Sequence, residues 1–206
     1  STGMKLLRCA FFLLAVVAGT VLLPRPGFAQ IVPLLIVSDS SISEDTSAAL
    51  NISVTTPLAG PDEQLTVSIA GIPDTWTITA AGGTVTWVYD TYGAGTGTWS
   101  ITFPPGQATY AGGIVLTPPL HSDLDLTGLV VTATNTDIVL GTSATATDTI
   151  DVLVDAVVDP PVASSSSVAV GTAGAVAPLL LGGGLIDLDG SETLSLRLSG
   201  VPAGFT

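Results

Sequence analysis

Basic residues, cysteine and histidine are nearly absent from this chain of 206 residues, which has four Lys or Arg, one Cys and one His. Each scarcity excludes something. Lys5, Arg8 and Arg25 lie at the N-terminus and Arg197 stands alone far downstream, whereas all 17 acidic residues follow position 38. A nucleic-acid binder needs a basic footprint to displace counterions, and this chain has none. The same poverty argues against attraction to anionic lipid. With Cys9 the only cysteine, no disulfide is available to the body of the chain. Nucleophilic catalysis lacks a base: His121 is the single His, and no Lys follows position 5. A pair of carboxylates could cleave glycosides, but acids are so common here that proximity alone signals nothing. No enzymatic activity is expected. Helical periodicity is also missing, since no segment after Gln30 sustains an apolar stripe beyond two turns.

What is present begins with an address. Met4-Lys5-Leu6-Leu7-Arg8 is a short basic opening, Cys9 to Leu23 is an apolar run, and Pro24 to Ala29 supplies a breaker and small residues. This is the three-part grammar of a secretory signal peptide, with cleavage expected after Ala29. The run is short for a membrane span, which needs roughly 20 residues; an uncleaved single-span anchor is the alternative. A secreted or cell-surface product follows, with no membrane association after cleavage.

The remainder predicts strands. Leu50, Ile52 and Val54 alternate with polar neighbours, as do Leu65, Val67 and Ile69; Val85, Trp87 and Tyr89; Trp99, Ile101 and Phe103; and Ile150, Val152 and Val154. Turn clusters separate them at Pro57–Pro61, Gly71–Asp74, Gly93–Gly97, Pro104–Gly106 and Pro118–Pro119. Seven or more short strands with regular turns predict an all-β antiparallel sandwich. The three Trp residues are expected in or beside its core.

A repeat is also readable. Pro61 to Pro73 matches Gly190 to Pro202, with Glu, Leu, Gly and Pro recurring in register (PDEQLTVSIAGIP against GSETLSLRLSGVP). The unit is of domain size. The expected organisation is a signal peptide over 1–29, a short lead-in over 30–37, a complete repeat over 38–161, and the truncated start of a second repeat over 162–206. That last stretch is too short for its own sandwich core.

These motifs carry a resemblance. Ser43-Glu44-Asp45-Thr46, the strand ending Gly71-Ile72-Pro73, Gly97-Thr98-Trp99, Leu116-Thr117-Pro118-Pro119, Leu129 to Thr134, Ile150 to Val154 and Val158-Asp159-Pro160-Pro161 occur in one order. Together with Asp187-Leu188-Asp189-Gly190-Ser191-Glu192, that order resembles the immunoglobulin-like or cadherin-like tandem repeats of large bacterial surface adhesins, including the repeats-in-toxin type. The resemblance implies a β-sandwich array, often stiffened by calcium, that serves as a stalk for adhesion or biofilm attachment. Its partners would be neighbouring repeats of the same chain, and a host or matrix protein or a glycan reached through other regions. One departure is the Sec-type opening, since many such adhesins carry a C-terminal secretion signal instead.

The resemblance also implies ligands. Calcium takes six to eight hard oxygens. Glu44 and Asp45 at the domain entrance, Asp62 and Glu63 in the following loop, and Asp159 in the exit linker are expected to meet near one end. Asp187, Asp189 and Glu192 would be the second repeat's counterparts of the loop acids. Asp123 and Asp125 are further candidates, whereas Asp148, Asp151 and Asp155 are expected on the polar face of a strand. The alternative is that these acids only solvate turns and prevent self-association. Zinc would have to rest on His121 plus carboxylates, so His121 is expected to be a plain loop residue. Gly182-Gly183-Gly184-Leu185 lacks the third glycine of the calcium nonapeptide and predicts no β-roll. A second functional reading is a carbohydrate- or protein-binding module, ancillary to a hydrolase or not, with Trp76, Trp87, Trp99, Tyr89, Tyr92 and Tyr110 as stacking surfaces. Exposed, coplanar aromatics would favour it.

Overall fold

The computed structural model describes residues 30–57, 60–90, 95–167, 169, 171–176 and 178–204. The signal-peptide reading therefore lies outside the described residues, as does Tyr92. Among the described residues there are fourteen strands: β1 (Leu34–Ser38), β2 (Ser40–Ser43), β3 (Ala48–Ala49), β4 (Asn51–Thr55), β5 (Glu63–Pro73), β6 (Thr77–Ala80), β7 (Thr84–Tyr89), β8 (Thr96–Thr102), β9 (Thr109–Ala111), β10 (Ile114–Thr117), β11 (Leu126–Asp137), β12 (Thr142–Asp155), β13 (Val162–Ser165) and β14 (Leu181–Gly184). Among the described residues no helix is long and apolar enough to cross a membrane.

The strands form an all-β sandwich. One layer is a six-stranded sheet in the order β2-β12-β11-β5-β8-β7. The other layer consists of two three-stranded sheets, β1-β4-β9 and β3-β10-β6, joined where the Leu50 amide donates to the Ile114 carbonyl at 2.8 Å. The core lies between the layers because alternation sends every second side chain inward. Leu65, Val67 and Ile69 of β5, Ile101 of β8, Val131 of β11 and Ile150 and Val152 of β12 meet Ile52 and Val54 of β4 and Ile114 and Leu116 of β10. Phe103 and Tyr110 stack across the layers with ring centroids 4.8 Å apart.

Two expectations are corrected. The lead-in over 30–37 contains β1, which pairs with β4 from Leu34↔Thr55 to Ser38↔Asn51, so the folded unit starts ahead of Ser38. Gln30 is tied down as well: its amide nitrogen donates to Glu63 Oε1 at 3.1 Å and its oxygen accepts from buried Asn135 at 3.2 Å. Of the turn expected at Gly71–Asp74, Gly71–Pro73 still belong to β5, which bulges where the register shifts between Ala70 and Ile72 and Gly71 sits at φ +91°; the turn begins only at Asp74. A side chain is disfavoured at Gly71. Its repeat partner Gly200 also has a positive φ, +75°, which gives the recurring glycine a backbone reason. Leu194, Leu196 and Leu198, the repeat counterparts of Leu65, Val67 and Ile69, lie in no strand and are each at least 40% exposed. Alternation there has no facing sheet to bury against among the described residues.

At Asp39 the entering chain crosses from one layer to the other. β2 leaves the β1–β4 sheet and runs parallel to the end of β12, from Ser40↔Val152 to Ser43↔Asp155. Asp39 fixes this switch, because its carboxylate accepts the Asp151 amide at 2.9 Å and its carbonyl accepts from Asn51.

Gly97 is a position where absence of a side chain matters. A Cβ there would stand 2.5 Å from the Trp87 ring and 2.5 Å from the Val88 carbonyl. Trp87 lies over this glycine and beside Trp99. Gly97→Ala is expected to cost about 1–3 kcal/mol by overpacking, read as a lower urea midpoint. It should also change Trp fluorescence, because Trp87 must leave its place.

Candidate metal centre

The acids that come together do so at the pole where β2 and β12 end. Four segments reach it: the turn after β2 with Glu44 and Asp45, the loop before β11 with His121 to Asp125, the exit from β12 with Val157 and Asp159, and the loop after β14 with Asp187 to Glu192. Backbone bonds set the geometry. The Glu44 amide donates to the Asp155 carbonyl at 3.0 Å, and the Val157 amide donates to the Glu44 carboxylate. Asp187 accepts the Asp189 amide at 2.9 Å and Asp189 accepts the Ser191 amide at 2.8 Å. Each short acid thereby folds the loop onto itself as an Asx turn. Asp189 also accepts the Asp123 amide at 3.3 Å, and Asp125 accepts the Val154 amide at 2.7 Å. The Asp159 amide donates to Glu192.

Two sets of ligand atoms result. One carboxylate oxygen each of Glu44, Asp187 and Asp189 lie within 4.8 Å of one another, and so do single donor atoms of Asp45, His121 and Asp159. Glu44 and Asp187 are each only 2% exposed, and Glu44 Oε2 and Asp187 Oδ2 are sealed from solvent without a hydrogen-bond partner. Among the described residues both ion pairs belong to His121, and no Lys or Arg neutralises the group. The Glu44 carboxyl is pulled down by the Val157 amide, yet burial and the charges of Asp187, Asp45 and Asp189 together hold it above the ordinary carboxylate range. Asp123 is raised by its hydrogen bond to Asp189, and Asp189 is lowered by the Ser191 amide. Buried, mutually repelling carboxylates without a counter-charge are costly. A hard divalent cation fits this donor set.

The placement of the predicted ligands is uneven. Glu44, Asp45 and Asp159 share the pole as expected. Asp62 and Glu63 do not: Glu63 opens β5 opposite Asp137, at the other end of a strand spanning roughly 35 Å. The expected single cluster is thus corrected, because antiparallel pairing carries the start of β5 away from the end of β12. Asp187 and Asp189, expected as counterparts of those loop acids, instead face Glu44, and Glu192 buttresses Asp159. Asp148, Asp151 and Asp155 lie along β12 with their side chains away from the core. His121 is a loop residue, as expected, with φ +56°; its amide donates to Asp45 Oδ1 at 2.7 Å, and its Nδ1 lies 3.0 Å from Asp159 Oδ2 and 3.4 Å from Asp45 Oδ2.

The aromatics do not form a flat platform among the described residues. Trp76 and Tyr110 are buried. Trp87 and Trp99 are tilted by 52° at 4.9 Å, and Trp87 meets Tyr89 edge-on at 73°. Such packing suits a sheet edge better than sugar stacking.

No family model and no curated protein matches this chain. Among solved structures it is similar to AvmM, which catalyses macrocyclization in alchivemycin A biosynthesis, with TM-score 0.38 and 10% identity over 61% of this chain and 89% of that one. It is also similar to AggA, the major subunit of aggregative adherence fimbriae type I from Escherichia coli (TM-score 0.33, 15% identity, 60% and 93% covered). A third is the non-cellulosomal cohesin from Archaeoglobus fulgidus (0.33, 9%, 62% and 92%). At scores this low the functional reading rests on the geometry of the pole.

Proposed function

We propose that the chain is a structural stalk module of an exported, cell-surface or secreted adhesin, in which calcium joins the sandwich to the segment that follows it. The observation that supports this reading is the pair of solvent-sealed, unpartnered carboxylate oxygens on Glu44 and Asp187, which come from the turn after β2 and the loop after β14. Glu44 belongs to the sandwich, and Asp187 and Asp189 to the segment beyond β14. A cation held by all three turns a segment that has few buried side chains of its own into a fixed extension. Neighbouring repeats of the same chain are the immediate partners of such a module. A host or matrix protein or a glycan would be met elsewhere in the assembly.

Limited proteolysis of the exit segment, Ala156 to Pro161, tests the coupling. Calcium is expected to protect it in the wild-type chain and to leave it open in Glu44→Gln, which keeps the shape and the acceptor for Val157 but removes the charge. Equal cleavage of the wild type with calcium and with EGTA would refute the reading.

A further inference from the structure

The second donor set has a different chemistry from the first. His121 Nδ1 lies 3.0 Å from Asp159 Oδ2 and 3.4 Å from Asp45 Oδ2, yet it is sealed from solvent and makes no hydrogen bond. At these distances a ring nitrogen aimed at either oxygen would bond to it. One donor atom from each of the three residues lies within 4.8 Å of the others, which leaves a common point between them that one ion could reach. Asp45 spends its other oxygen on the His121 amide, so it offers one oxygen to that point. The Asp159 amide is fixed by Glu192, the kind of outer contact that orients a ligand.

Imidazole is a poor ligand for calcium, which selects oxygen, and a good one for zinc-class cations. With bonds of about 2.0–2.1 Å in a tetrahedral site, neighbouring ligand atoms stand roughly 3.3–3.4 Å apart, close to the 3.0 and 3.4 Å that separate His121 Nδ1 from the two carboxylate oxygens. The geometry points to a second metal site, formed by Asp45, His121 and Asp159, that takes a zinc-class divalent cation with water completing the tetrahedron. The site stands beside the calcium group and shares no donor residue with it, so it binds whether or not calcium does. It clamps the turn after β2, the loop before β11 and the β12 exit.

Zinc titrated calorimetrically into the full chain in saturating calcium should bind one to one. His121→Asn retains a residue that tolerates positive φ and should weaken zinc by about 100-fold or more, since loss of outer-shell contacts alone costs 10–100-fold. Glu44→Gln should keep zinc binding while losing its calcium response. The chain's single histidine provides a readout that needs no variant: stoichiometric zinc should shift its ring-proton resonances. Absence of saturable zinc binding, unmoved histidine resonances, or undiminished affinity in His121→Asn would each overturn the site. Loss of zinc binding in Glu44→Gln would overturn its independence.

Discussion

Chelation of calcium by EGTA is expected to lower the melting temperature of the chain by about 5–10 °C. The size follows from mass action: a ligand present at about 100 times its dissociation constant stabilises the folded state by about 2.7 kcal/mol. For a chain of this length each kcal/mol moves the midpoint by about 2–4 °C. The sign of a single substitution separates calcium from any generic effect of ionic strength. Without calcium, Glu44 is a buried carboxylate facing the charges of Asp187, Asp45 and Asp189, so Glu44→Gln removes repulsion and should raise the melting temperature. With calcium the same substitution removes a ligand and should lower it. One residue whose replacement stabilises in EGTA and destabilises in calcium is difficult to produce by screening alone. A melting curve indifferent to EGTA in the wild type would sink the calcium reading.

A large loss of stability is expected from truncating Ile69. Its side chain is completely buried, and its backbone is paired to Val131 on one side and to Trp99 on the other. Truncation to Ala removes transfer free energy and leaves a cavity, and such changes cost about 2–5 kcal/mol. Ladders on both flanks keep the neighbouring strands from closing in, so Ile69→Ala should fall near 3–4 kcal/mol, in the upper part of that range. Urea unfolding should show a lower midpoint with an unchanged slope. A loss below about 1 kcal/mol would mean that the two layers can close over the gap, contrary to close packing at the centre of the sandwich.

The strands through the middle of the fold were legible because period-2 alternation and burial coincide there: Leu65, Val67 and Ile69, and likewise Ile150 and Val152, are all core. The same alternation at Val85, Trp87 and Tyr89 gave a strand but not its position. β7 is the outer edge of the six-stranded sheet, and Tyr89 is 44% exposed, since periodicity reports a face and not a place in the sheet. The metal pole was half legible. Short acids near turns could be nominated one by one, but partnership depends on contacts such as the one between His121 and Asp45, 76 residues apart. Local spacing has no access to such distances. The error over Asp62 and Glu63 has the same origin, for a strand as long as β5 moves its start to the far pole. What could have flagged His121 is its placement just after Pro118-Pro119 and ahead of Asp123 and Asp125, in a loop where several acceptors converge.

The parallel pairing of β2 with β12 has a mechanical consequence. The chain enters beside Glu63 at one pole, through Gln30 and β1, and its exit beyond Asp155 leaves from the other. Tension applied along the chain therefore runs lengthwise through β1 and β12, and their ladders to β4 and β2 lie across that line. Interstrand hydrogen bonds stand broadly crosswise to the strands, so such a pull shears whole rows at once instead of unzipping them bond by bond.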